Sequence, residues 1–211
     1  MTSLEIPAGD VVLEADIVIP GSPKGVVLFV HGSGSSRHSP RNRYVAGELQ
    51  GAGLATVLAD LLTAEEERVD AKTAELRFDI GLLATRVIAL TDWLADDEAT
   101  GRLGLGYFGA STGAAAALIG AAARPDRVAA VVSRGGRPDL AAEGLERVRQ
   151  PTLLIVGGRD EVVIDLNQKA LKQMADDVRL EIVPGASHLF EEPGTLEQVA
   201  RLARDWFVRH L

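Results

Sequence analysis

The stretch Leu103-Gly104-Leu105-Gly106-Tyr107-Phe108-Gly109-Ala110-Ser111-Thr112-Gly113 decides how this chain is read. It opens with an apolar run, Leu103 to Phe108, and an alanine-rich segment, Ala114 to Ala123, follows directly. A serine at the centre of G-x-S-x-G, between such a run and such a segment, marks a sharp strand-to-helix turn. The glycines two positions either side have a physical job, because strand and helix crowd together there and leave no room for side chains. The bend lifts the serine hydroxyl clear of the sheet. It also aims the N-terminus of the next helix at the same point, and the free N–H groups and partial positive charge of that end favour an oxyanion. Ser111 is the candidate nucleophile.

Five residues of such common types also arise by chance, so the rest of the chain has to decide. A serine hydroxyl needs a base to take its proton. The chain has four histidines. His210 is next to last, on a C-terminal helix. His31 and His38 lie in and just after His31-Gly32-Ser33-Gly34. His188 lies in Pro184-Gly185-Ala186-Ser187-His188, just after the apolar run Leu180 to Val183. A histidine in a loop leaving a strand can reach a serine on a neighbouring strand end; the alternative is a loop histidine with a local hydrogen bond. The acid that would orient it is Asp160, after Leu153 to Val156 and Gly157-Gly158-Arg159, with a plain helix N-cap as the alternative. Asp139 is the rival acid. In chain order the candidates run Ser111, Asp160, His188, each where an apolar run ends, and in a parallel sheet those ends share one edge.

The oxyanion hole should combine the N–H after the nucleophile, that of Thr112, with one from the loop after the third strand, for which Ser33 is the choice. His31 then ties loops together and does not move protons. With Leu28 to Gly34, Gly109 to Gly113, Gly157 to Asp160 and Gly185 to His188 in place, the chain resembles an α/β-hydrolase of the dienelactone-hydrolase-like group. These residues span nearly the whole chain in the right order. The group's true dienelactone hydrolases use a cysteine nucleophile, whereas this chain has no cysteine and carries serine there. The resemblance therefore implies a fold and a triad, and leaves the substrate open.

Working outward, apolar runs alternate with amphipathic stretches, the mark of βαβ units. Strands are expected at Ser3–Ile6, Val11–Ile19, Val26–Val30, Ala55–Ala59, Leu103–Phe108, Val128–Val132, Thr152–Val156 and Arg179–Val183, the first two as a hairpin through Gly9-Asp10. Helices are expected from Ser39-Pro40, over Phe78–Leu94 and Glu161–Ala175, and from a capping box at Thr195-Leu196-Glu197-Gln198. Thr63 to Leu76, with Glu65-Glu66-Glu67, reads as a solvated excursion. Gly135 to Gln150 leaves room for a short helix and no large lid. The expected architecture is one α/β-hydrolase domain over residues 1–211, a mostly parallel eight-stranded sheet with helices on both faces.

A net charge of −8 and a pI near 5.0 argue against nucleic acid and disfavour an anionic membrane surface. Met1 to Pro7 has no basic n-region or apolar h-region, so a cytoplasmic location is expected. No metal or organic cofactor is implied; the expected partner is a small ester-like substrate, and oligomeric state is not legible. Arg37, Arg134 and Arg159 all fall on loops expected at the strand C-terminal edge, where ligands bind in open α/β sheets. Arg37 and Arg134 are candidates to hold a carboxylate or phosphate of the substrate, with structural ion pairing as the alternative. The expected activity is cleavage of a small ester, lactone or thioester through an acyl-enzyme. The rival reading is a small-molecule binding module, slow or inactive in turnover, on the same fold.

Overall fold

In the computed structural model, which describes residues 1–174 and 177–211, the chain opens on the expected hairpin. Strands β1 (Thr2–Ala8) and β2 (Val11–Val18) pair antiparallel, and Gly9 takes the turn at φ 73°. Then come β3 (Val26–Val30), β4 (Ala55–Ala59), β5 (Leu105–Ala110), β6 (Val128–Arg134), β7 (Thr152–Gly157) and β8 (Val178–Val183). The sheet order is β1-β2-β4-β3-β5-β6-β7-β8. All pairings from β4 to β8 are parallel, and β2 joins β4 antiparallel. Strands β3, β4, β5 and β7 are buried at every residue, as continuous apolar runs must be when helices cover both faces.

The helices are α1 (Pro40–Gly51), α2 (Ala64–Thr73), α3 (Ile80–Asp96), α4 (Thr112–Ala123), α5 (Glu161–Leu171) and α6 (Thr195–His210). Helices α3 and α4 pack one core with Leu28, Tyr107 and Val131; α1 and α6 pack the other with Phe29, Phe108 and Val132. Helix α4 contacts β3, β5 and β6, and its run of alanines lets it lie close against the centre of the sheet. Aromatic residues are few, but two of them, Phe29 and Phe108, meet with ring centroids 4.9 Å apart at the centre of the second core. A leucine buried there contributes about 2 kcal/mol.

Three expectations are corrected. Thr63 to Leu76 is solvated as expected but helical over most of its length: Thr63 caps α2 through a capping box with Glu66, and the glutamates of the first turn favour the positive helix end. No capping box opens α6. Gly194 is its cap, and the Thr195 hydroxyl donates to Glu192 O at 2.7 Å instead. Helix α5 ends at Leu171, earlier than expected, and Ala175 lies outside the described residues. Between β6 and β7 there is only a short 3₁₀ stretch, Pro138–Arg147, kinked at Ala142. Among the described residues no helix is long and apolar enough to cross a membrane.

Candidate active site

Ser111 stands between β5 and α4 at φ 50°, ψ −121°, a backbone conformation that a side chain adopts only under constraint. The constraint is visible on both sides. A Cβ at Gly109 would lie 2.5 Å from Ala114 Cα, and one at Gly113 would lie 2.3 Å from the carbonyl oxygens of Val30 and His31. Any other residue at either position would push α4 off the sheet. The turn is held by Ser111 N–H donating to Arg134 O at 3.1 Å, while Ser111 O accepts from Ala114 and Arg137 N–H. The Ser111 hydroxyl is half-buried and has no hydrogen bond among the described residues.

The loop after β8 carries His188, and the loop after β7 carries Asp160. They meet at 2.6 Å, Nδ1 to Oδ2. With a carboxylate on Nδ1, the neutral ring carries its proton there and keeps Nε2 as the free base. The ring lies over Gly135, whose Cβ position would be 3.4 Å from Cε1. Gly135 follows Arg134, the residue that pairs with Ala110 immediately before Ser111. So the imidazole sits one strand from the serine, on the same sheet edge. The rival acid Asp139 is elsewhere engaged, with Arg137 at 2.7–2.8 Å.

The loop after β3 reaches the same place. A Cβ on Gly32 would come within 3.0 Å of Ser111 Cβ, so glycine is needed for the approach. His31 is 7% exposed; its Nε2 accepts from Leu61 N–H at 3.1 Å and its Nδ1 contacts Gly32 O at 3.0 Å. Burial lowers its pKa against the smaller opposing pull of the Gly32 carbonyl and Asp60. A neutral ring spanning two loops is a tie, not a base. Thr112 N–H has no acceptor among the described residues. Ser33 N–H does have one: it donates to Thr112 Oγ1 at 2.9 Å. That hydroxyl oxygen occupies the amide expected to receive an oxyanion, and an incoming oxyanion would have to replace it.

Beyond Gly32 and Ser33 opens a cleft of about 550 Å³, lined among others by Ser35, Ser36, Ser39, Arg41, Glu67 and Arg77. It does not reach Ser111 or His188 directly; it adjoins the site through the oxyanion loop. Of the arginines singled out by position, Arg37 is not available to a ligand. It is ion-paired to Asp60 and Glu14, lies 3.9 Å from Asp16, and donates its backbone N–H to Asp60 at 2.7 Å. Burial opposes its charge, but those carboxylates outweigh it and raise its pKa. Arg159 pairs with Glu192. Arg134 is the opposite case: 7% exposed, with no hydrogen bond or ion pair among the described residues. Burial, and secondarily the neighbouring charge of Arg41, push its pKa down to about 10, which leaves it a cation at neutral pH.

One contributor was missed from the sequence. Glu192 accepts from Ser187 N–H at 2.9 Å and from the Ser187 hydroxyl at 3.2 Å, and it also binds Arg159. It therefore links the loop carrying His188 to the loop carrying Asp160. Ser187 N–H foremost, with Arg159 assisting, holds its carboxyl down at about 2. A Glu-Glu-Pro-Gly segment gives no local signal for such a role; only the meeting of two loops creates it. Among the described residues no three His, Cys, Asp or Glu are placed to hold a metal ion.

Sheet order, the strained serine turn and the loops gathered at one edge define an α/β-hydrolase fold. Within that class, residues 13–209 match the model of the dienelactone hydrolase family, and the chain belongs to that family. It is similar to a dienelactone hydrolase from Anabaena variabilis, with 59% identity and a TM-score of 0.98 over 100% of this chain and 97% of the other. Proteins from two strains of Mycobacterium tuberculosis, named as candidate phosphoribosyl transferases, are 59% identical over 99% of this chain but 46% of their own length. The chain thus spans about half the length of these curated relatives. A Xanthomonas campestris protein, described as an α/β serine hydrolase without lid, shares the fold at 20% identity and a TM-score of 0.76, over 99% and 94% of the two chains.

Proposed function

We propose that the chain is a serine hydrolase that cleaves a small ester, lactone or thioester through an acyl-enzyme. The observation that carries this is the 2.6 Å pairing of His188 with Asp160, one strand from a serine held at φ 50°. Ser111 Oγ attacks the carbonyl carbon as His188 Nε2 takes its proton, and Asp160 stabilises the imidazolium. The carbonyl oxygen becomes an oxyanion received by Thr112 N–H. Ser33 N–H joins it once released from Thr112 Oγ1; a donor of this kind contributes about 100- to 1,000-fold in rate. The imidazolium returns its proton to the departing alcohol or thiol. Water, deprotonated by the same nitrogen, then attacks the acyl-enzyme and restores Ser111.

No metal or organic cofactor enters these steps. Phosphoribosyl transfer is not part of the proposal, since the relatives so named are more than twice as long as the stretch they share with this chain. The test is turnover of p-nitrophenyl esters of graded acyl length by wild type and Ser111→Ala. The expected loss is at least about 1,000-fold in kcat with the melting temperature unchanged or higher. Residual activity within about tenfold of wild type would remove Ser111 from the mechanism. A wild type that binds esters but turns none over would favour the binding module.

A further inference from the structure

Strand β8 is the last of the sheet, and its free side carries a pattern. Asp177 O accepts from Thr152 N–H at 2.9 Å, and Val183 O accepts from Gly158 N–H at 2.8 Å. Backbone groups alternate in direction along a strand, so Asp177, Arg179, Glu181 and Val183 turn theirs to β7. The N–H and C=O groups of Val178, Leu180 and Ile182 therefore point away from the sheet. The side chains alternate between the two faces. Arg179 lies over the Trp206 ring, 5.5 Å from its centroid, and Val183 packs in the core that α6 covers, so Arg179 and Glu181 share the α6 face. Val178 packs against the other core, and Leu180 and Ile182 share its face, with Ile182 still 41% exposed. Arg179 and Glu181 are both exposed, and neither has an ion pair among the described residues. The opposite edge of the sheet is β1, where Pro7 has no N–H to offer and blunts the strand. Strand β8 has no proline.

We propose that a second copy of this chain adds its own β8 to this edge, antiparallel, about a two-fold axis at Leu180. Backbone and charge select the same register. Pairing centred on Leu180 sets Leu180 against Leu180 of the second copy, and Val178 against its Ile182. The three outward residues of each copy then all exchange hydrogen bonds, as the bonded pairs of an antiparallel ladder do. The same register sets Arg179 against Glu181 of the second copy, and Glu181 against its Arg179, in the closer non-bonded positions. A centre at Arg179 or at Glu181 instead leaves one outward residue of each copy without a partner in the strand, and it brings like charges face to face. Any register between these sets outward residues against inward ones. Charges on an edge strand ordinarily guard it against other chains. Here opposite signs two positions apart guard against every register but one, and that one is self-complementary, as a two-fold contact requires. The partner strand also covers Ile182. Each His188 loop follows directly from the paired strand, and the two candidate sites lie at opposite ends of the joined sheet. The inference does not depend on the hydrolase reading.

The test is sedimentation equilibrium of wild type, Arg179→Glu, Glu181→Arg and the double variant. Wild type should pass from one chain to two as concentration rises. Each single variant sets two like-charge pairs across the seam and should dimerise at least about tenfold more weakly. The double variant restores opposite charges in both pairs, and so does an equimolar mixture of the two single variants. Both should recover to within about threefold of wild type. Recovery in the mixture also shows that each single variant is folded. Amide hydrogen exchange gives a readout without substitution. The N–H groups of Val178, Leu180 and Ile182 should exchange slowly in concentrated wild type and fast on dilution, while those of Arg179 and Glu181, bonded to β7, stay slow in both. A wild type that stays monomeric at millimolar concentration overturns the proposal. So does a dimer that neither single variant weakens, or a mixture that associates no better than either variant alone.

Discussion

Arg37, half-buried, and Arg134, buried, lie on the same sheet edge and meet opposite fates. Arg37 is surrounded by Asp60, Glu14 and Asp16, and Asp16 in turn takes Arg43 at 2.9 Å and the Ser3 hydroxyl at 2.7 Å. Among the described residues Arg134 pairs with no carboxylate. The first is part of a satisfied network that pins the oxyanion loop to β2 and to the end of β4. The second stands beside a strained serine with its charge uncompensated. Structural corners of a protein complete their polar contacts internally; corners that meet a ligand leave some unmade.

The contrast breaks most directly by removing each charge in turn. Arg37→Gln leaves a cluster of carboxylates without their cation and should destabilise the protein by about 3 kcal/mol. Replacing Arg134 with leucine should do the reverse, raising stability by about 1–2 kcal/mol, because an unpaired buried charge is exchanged for packing. Urea unfolding of the two variants decides between them. Equal destabilisation would mean that Arg134 has a structural partner after all.

A finer test asks whether the site's loops depend on their shared anchor. Glu192→Gln keeps the size of the side chain but weakens its hold on Ser187 and Arg159. Small misplacements of catalytic groups are costly, so kcat should drop by about tenfold with KM little altered. Glu192→Ala should lose more than Glu192→Gln. If neither substitution moves kcat, the two loops are positioned independently of it.

The smallest effect belongs to His31. Its folded pKa lies below the ordinary 6.5, so as pH falls below 6.5 the unfolded chain takes a proton that the native ring refuses. Stability contributed by the neutral ring is complete above that pH and declines below it, by no more than about 1.4 kcal/mol per pH unit. Urea midpoints measured between pH 7 and 5 should fall with acid in wild type, and less steeply in His31→Gln. Equal slopes would mean that the tie between the two loops does not titrate with the ring.

Much of this molecule is written in short windows of sequence. Eight apolar runs gave eight strands, and G-x-S-x-G placed Ser111 because backbone crowding at Gly109 and Gly113 acts within a few residues. The end of each parallel strand falls on one edge, so the order Ser111, Asp160, His188 was enough to bring their loops together there. Even the error at α2 was local: Thr63 and Glu66 spell a capping box, and the charge run around them hid it. Other facts had no local sign. Ser33 N–H finds Thr112 Oγ1 across 79 positions, Arg37 finds Glu14 and Asp60 23 positions away on either side, and Arg134 finds no carboxylate among the described residues. Backbone sterics and hydrophobic periodicity are set by near neighbours in the chain. The pairing of charges depends on which distant side chains packing brings within a few ångströms, and so only the tertiary structure could decide which arginine serves the fold and which one stands unpaired beside Ser111.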